Sequence, residues 1–177
     1  MKRFQIGFLV SSLLLAGASA SAQVAEESTN IVNSETDWSV FVEEDPTQCW
    51  VVSTPSETVN TRDGQVVQVN RDDIMMFVTF WPSQDRLGEV SFTGGYPFAD
   101  GSTVQVEIGS STFELFSEGA MAWAASPQDD DRIITAMKRG ASATLTARSS
   151  RGTQTQDTFS LLGFTAAIED AVVRCGG

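Results

Sequence analysis

The chain has 177 residues, with 11 Lys and Arg set against 23 Asp and Glu, a formal charge of −12. So acidic a surface is unsuited to nucleic acid, whose phosphates need Lys and Arg to neutralise them. No histidine is present, which removes Ser-His-Asp and Cys-His catalysis and every His-ligated metal site. Apolar residues make up 41% of the chain, enough for a core and too many for global disorder.

Lys2 and Arg3 precede an apolar stretch from Phe4 to Leu15, and small residues follow to Ala22. Ala18-Ser19-Ala20 and Ala20-Ser21-Ala22 both fit an A-x-A cleavage site. Residues 1–22 therefore read as a secretory signal peptide. The apolar stretch falls short of the roughly 20 residues that a membrane span needs. Gln23 to Ser34 is polar and acidic and reads as a flexible leader, with a single domain over residues 35–177. Loss of Lys2 and Arg3 with the signal leaves nine cations against 23 acids.

Export gives Cys49 and Cys175 a meaning, because an even cysteine count in an oxidising compartment favours a disulfide. Cys49 lies in the apolar run Cys49-Trp50-Val51-Val52. Ile168, Ala171, Val172 and Cys175 recur at helical spacing, which puts Cys175 on a buried helix face. A bond between the two would staple the last helix to an early strand. Two buried free thiols or a reactive thiol are the alternatives, and no neighbouring His or Lys cluster is visible to activate a thiolate.

Alternation of period two dominates the rest. Trp38, Val40 and Val42, then Val90 and Phe92, then Val104, Val106 and Ile108, then Ala143, Leu145 and Ala147 each mark one face of a half-buried strand. Ile74 to Trp81 is almost continuously apolar, as in a central strand covered on both faces. Further strands are expected at residues 49–54, 65–69, 112–116, 120–123 and 153–161. Asp63-Gly64, Asp100-Gly101 and Arg151-Gly152 supply tight turns. Ser126-Pro127-Gln128-Asp129 opens a short helix before the last hairpin, and a second helix runs from about Thr165 to Cys175. About ten strands and two short helices predict an all-β antiparallel sandwich.

Catalytic and metal chemistry find little footing. Asp129-Asp130-Asp131 lacks the alternating ligands and central glycine of a calcium loop and suits the first turn of a helix. Gly94-Gly95 has no Lys, Ser or Thr at phosphate-loop spacing, and Lys138 beside Arg139 reads as a solvated cation. No cofactor, metal or catalytic residue is expected. Of the four tryptophans, Trp38 and Trp50 are expected inside, and Trp81 and Trp123 at an edge. The stiff corner Tyr96-Pro97-Phe98, with Trp81 or Trp123, is the candidate binding surface, the alternative being that Tyr96 and Phe98 plug the end of the sandwich.

The opening Asp37-Trp38-Ser39-Val40, then Cys49-Trp50-Val51-Val52-Ser53, Phe92-Thr93-Gly94-Gly95-Tyr96-Pro97, Glu114-Leu115-Phe116, Ile133 to Gly140 and Phe159-Ser160-Leu161-Leu162-Gly163-Phe164-Thr165-Ala166-Ala167 before Cys175 resemble the invasion-associated locus B proteins of bacteria. The likeness spans essentially the whole exported domain, and its most specific part is the segment leading to the last cysteine. It implies an immunoglobulin-like β-sandwich, export to the periplasm or outer cell envelope, a link to host-cell entry in pathogenic relatives, and no established enzymatic activity. Val42 stands where family members often carry a further cysteine, so only one bridge is expected. The expectation is thus a non-enzymatic envelope protein that works through an envelope or host-surface protein partner, with no integral span after signal cleavage. A periplasmic small-ligand module for sugar or peptide is the alternative.

Overall fold

The computed structural model describes residues 30–45 and 47–175; the expected signal peptide and the leader up to residue 29 lie outside them. In chain order the strands are β1 (Ile31–Glu35), β2 (Trp38–Glu44), β3 (Thr47–Ser53), β4 (Glu57–Arg62), β5 (Gln65–Val66), β6 (Met75–Trp81), β7 (Arg86–Thr93), β8 (Thr103–Ile108), β9 (Ser111–Glu118) and β10 (Met121–Trp123). Helix α1 (Pro127–Met137), β11 (Ser142–Arg148), β12 (Gln154–Ser160) and helix α2 (Phe164–Arg174) complete the chain. Ile31 to Ser34, assigned to the leader on their polarity, belong to β1: Ser34 lies opposite Ser39 and Glu35 opposite Trp38. The strand is weakly marked in sequence because α2 helps to hold it, Asn33 donating to Asp170 at 3.1 Å. The strand expected at residues 65–69 shrinks to Gln65–Val66, and β4 carries no alternation that announces it.

The strands are antiparallel and form one sheet in the order β1-β2-β3-β6-β7-β10-β9-β8-β11-β12-β4-β5. Laid flat, β7 and β12 would sit about 24 Å apart at the usual strand spacing. Instead the rings of Phe92 on β7 and Phe159 on β12 meet edge to face at 6.1 Å. The sheet folds over on itself, and its two halves are the layers of an all-β, sandwich-like fold. Burial follows the alternation: Val40, Val51, Val78, Val90, Val104, Val106, Leu145 and Phe159 are inaccessible and share one core. The same alternation corrects one expectation. Cys49 and Val51 point inward, so Trp50 faces out, where it stacks on Phe41 at 5.3 Å. Trp38 is buried as expected.

Helix α2 lies along β1, β2 and β3 and buries Phe164, Ala167, Ile168 and Ala171. Trp38 meets Phe164 edge to face at 4.8 Å, and its indole N–H donates to the Ser160 carbonyl at 3.0 Å. Cys49 and Cys175 are bonded, with Cα atoms 6.0 Å apart. Closing a loop of 126 residues removes about 5 kcal/mol of unfolded-state freedom in the chain-entropy model. Reduction, or the Cys49→Ala/Cys175→Ala double variant, should lower unfolding stability by up to that amount in urea titrations. Equal midpoints for oxidised and reduced protein would contradict this.

Helix α1 is fixed by its first turn. The Ser126 hydroxyl accepts from the Asp129 N–H at 3.2 Å and donates to the Asp129 carboxylate at 2.6 Å. Asp130 accepts from the Val90 N–H at 2.8 Å, supplying a partner where β10 has ended. Burial, opposed by that bond and reinforced by Glu89, Asp131 and Asp129, raises its pKa from 3.8 to about 6. The folded state therefore holds the proton more tightly than the unfolded state. Its contribution is full below pH ~4 and is lost as pH rises through ~6. Asp130→Asn keeps the acceptor and cannot ionise, so it should flatten the pH dependence of stability between pH 4 and 7. Parallel profiles for the two proteins in urea titrations would refute this assignment.

Candidate functional site

The inner face of β12 changes character along its length. Phe159 is apolar, but Asp157 and Thr155 before it, and Thr153 just ahead of the strand, are polar and buried. A buried polar group costs stability unless it is hydrogen-bonded. Each of these three is met by a side chain from elsewhere. Arg62, at the end of β4, donates to the Thr153 hydroxyl at 2.7 Å. The Tyr96 hydroxyl bonds to that of Thr155. Arg71 forks onto both Asp157 oxygens, at 2.7 and 2.6 Å.

Arg71 lies in the segment that leaves β5, at one edge of the sheet, and travels to β6 in the other half. Its Nε donates to the Gly94 carbonyl at 2.7 Å, and its guanidinium lies 5.1 Å from the centre of the Tyr96 ring. The Asp72 N–H donates to the Gly95 carbonyl at 3.0 Å. A Cβ on Gly95, which sits at φ +72°, would overlap the Asp72 carbonyl, so this crossing needs glycine. The Arg71 and Asp157 side chains are 6% and 0% exposed. Burial pushes the Asp157 carboxyl up, and the hydrogen bonds and charge of Arg71 oppose the rise. Burial likewise raises Tyr96, against the pull of its Thr155 bond and the Arg71 charge.

Above this ladder a cleft of about 540 Å³ opens between the crossing segment, the Gly95–Pro97 corner and the β11–β12 turn. Tyr96 and Pro97 form its apolar wall, and Arg62, Ser149, Ser150, Arg151, Thr153 and Thr155 its polar side. A groove of about 690 Å³ lies between α1 and the β8–β9 turn. Its polar lining, including Ser110, Thr112, Asp131, Arg132 and Arg139, consists of exposed side chains, so nothing polar converges into it from the core. The cleft at Tyr96 is the better candidate, because buried hydroxyls and an aromatic ring meet there beside guanidinium groups.

The aromatic residues picked out in sequence separate in space. Tyr96 is half-buried and lines the cleft. Phe98 is 4% exposed, packed against Phe92 at 6.0 Å and Tyr96 at 5.2 Å, so it belongs to the core and offers a partner no surface. Trp81 ends β6 opposite Arg86, whose guanidinium lies 5.9 Å from its ring, whereas the Tyr96 corner follows the far end of β7. Trp123 pairs with Phe116 across β10 and β9 and borders a shallow recess of its own. Sequence reasoning passed over Arg62, Arg71, Arg151 and Asp157 as site residues. One signal was available: Asp157 stands in period-two register with Phe159, so an acid occupies a position that the pattern assigns to the core.

Removing Arg71 would strand a buried carboxylate, a change that typically costs about 3–5 kcal/mol. Arg71→Met should destabilise the fold by that order at pH 7. The gap to the native protein should narrow as pH falls and Asp157 takes up a proton. Adding Asp157→Leu to Arg71→Met should recover much of the loss. A pH-independent deficit, or no deficit, would contradict a buried ion pair.

Comparison with known proteins agrees with this architecture. No curated protein sequence matches the chain. The crystal structure of invasion associated protein B from Bartonella henselae superposes with a TM-score of 0.54 at 15% identity, over 80% of this chain and 95% of that one. At that identity the likeness concerns the fold. The model of the invasion associated locus B (IalB) family matches residues 38–172, from the buried Trp38 into helix α2. The chain therefore belongs to the invasion associated locus B family.

Proposed function

We propose that this protein is an exported, non-enzymatic component of the cell envelope that acts by holding a partner protein of the envelope or of a host surface. The cleft beside Tyr96 is the observation that carries the reading. It joins an aromatic wall to convergent hydroxyl and guanidinium groups, the combination that anchors interfaces. Export is supported by the Cys49–Cys175 bond and by the signal-like order of residues 1–22. A binding role rather than a catalytic one is supported by the lack of histidine and by the commitment of the buried acid, Asp157, to Arg71. The Bartonella relative is called invasion associated, and a role in contact with host cells is proposed here on that kinship. The cleft volume also favours a second reading, a small-ligand module, since sites of roughly 300–1,000 Å³ are usual for small ligands.

A photo-crosslinking residue at Ser150, in the cleft, should yield a discrete protein adduct in native envelopes, and one at Ser110, in the groove beside α1, should not. Tyr96→Ala should abolish the Ser150 adduct while the protein stays folded, and Trp123→Ala should leave it intact. Adducts from Ser110 alone, or a Ser150 adduct indifferent to Tyr96→Ala, would sink the cleft as the contact surface.

A further inference from the structure

We propose that the cleft beside Tyr96 recognises a carboxylate on a peptide segment of its partner, seated on the guanidinium groups of Arg62 and Arg151. This deepens the binding reading and rests on it. Of the nine Lys and Arg beyond Arg3, three line this one cleft, in a chain carrying 23 acids. Among the described residues, Asp72 is the only one with a carboxylate that lines it. Arg71 is neutralised by Asp157 beneath the floor, so it holds the wall in place and adds little free charge. Arg62 and Arg151 differ: neither makes an ion pair among the described residues. Arg62 spends one donor on Thr153, which fixes its direction along the cleft and leaves most of its fork open. Arg151 stands on the turn before Thr153 and is exposed.

A planar guanidinium fork matches a carboxylate in two parallel hydrogen bonds. The surrounding acidic surface repels a long polyanion but leaves a short, singly charged group free to enter a locally positive cleft. Tyr96 and Pro97 then offer a flat apolar wall to the chain that bears the carboxylate, and Ser150 a hydroxyl to its backbone. A volume of about 540 Å³ takes a few residues of chain, not a folded surface. The carboxylate could belong to a chain end or to an Asp or Glu side chain, and the chemistry is the same.

The test is a titration of the full exported chain, followed by amide NMR, with three acetylated tetrapeptides at low and at physiological salt. One has neutral side chains and a free C-terminus, one an internal Glu and an amidated end, and one is neutral and amidated. At least one charged peptide should shift the Gly95, Ser150 and Gly152 resonances, and the neutral peptide should not; which charged peptide binds identifies the source of the carboxylate. Arg62→Gln and Arg151→Gln should each weaken binding about tenfold or more. Lys138→Gln/Arg139→Gln, which removes two charges outside the cleft, should leave it unchanged. Arg151 is exposed, so its variant keeps the test valid if Arg62→Gln disturbs the fold. Shifts from the neutral peptide, no shift from any peptide, or equal weakening by the Lys138/Arg139 control would overturn the inference. If Arg62→Gln/Arg151→Gln retains the Ser150 crosslink that Tyr96→Ala loses, carboxylate recognition fails and the binding reading survives. A crosslink indifferent to Tyr96→Ala removes both.

Discussion

The ion pair between Arg71 and Asp157 is the constraint around which the rest of this molecule is arranged. A twelve-stranded antiparallel sheet has to fold over to bury its apolar face, and the chain must cross between the two halves once β5 is complete. That crossing segment is polar and has no strand of its own. It is held because Arg71 reaches an acid on the inner face of β12 and a carbonyl of the corner after β7 with the same guanidinium. One side chain thus ties together three stretches that the hydrogen bonds of the sheet do not connect directly. A buried pair is poor at adding net stability, but loss of either partner leaves the other buried without its counter-charge.

Two parts of the core are sealed by different physics. Along β2 and β3 the seal is apolar and covalent: Trp38 against Phe164 at the start of α2, the buried face of the helix, and the Cys49–Cys175 bond just beyond its last turn. Along the first part of β12 the seal is a ladder of polar contacts, Thr153 with Arg62, Thr155 with Tyr96 and Asp157 with Arg71. An apolar plug excludes water and presents nothing to a ligand. A polar seal has to bring hydroxyls, a phenol and guanidinium groups to the surface to satisfy what lies beneath. The cleft is in this sense a by-product of closing the sheet with polar residues, and that is why it is found beside β12.

Much of the fold could be read from the residues, because period-two alternation is a direct record of which face is buried. Val90 and Phe92, or Ala143, Leu145 and Ala147, allow no other reading as strands with one inward face. The cysteine bond was legible for a similar reason, since helical spacing put Cys175 on the buried stripe of α2. What alternation does not carry is lateral: which strand neighbours which, and which unpatterned strands join an edge. β1 and β4 are polar and short of apolar signals, and they exist through pairing and through contacts such as Asn33 with Asp170. The cleft was half legible. Tyr96 stood out as an aromatic beside proline, but its arginine neighbours come from residues 62, 71 and 151, which no local pattern links.

Gly163 sits at φ +87° directly before α2, and a Cβ there would run into the carbonyl of Glu35 at the turn between β1 and β2. The stretch Leu161-Leu162-Gly163-Phe164-Thr165-Ala166-Ala167, part of the most specific segment of the resemblance read from the sequence, is therefore written by a steric fit between the start and the end of the domain. It specifies how a helix is seated, and none of its residues lines the cleft beside Tyr96. Kinship read from this stretch is kinship of architecture. A steric fit of this kind fixes where a helix rests and leaves the lining of the cleft to be written by other residues, those at 62, 96 and 151 among them.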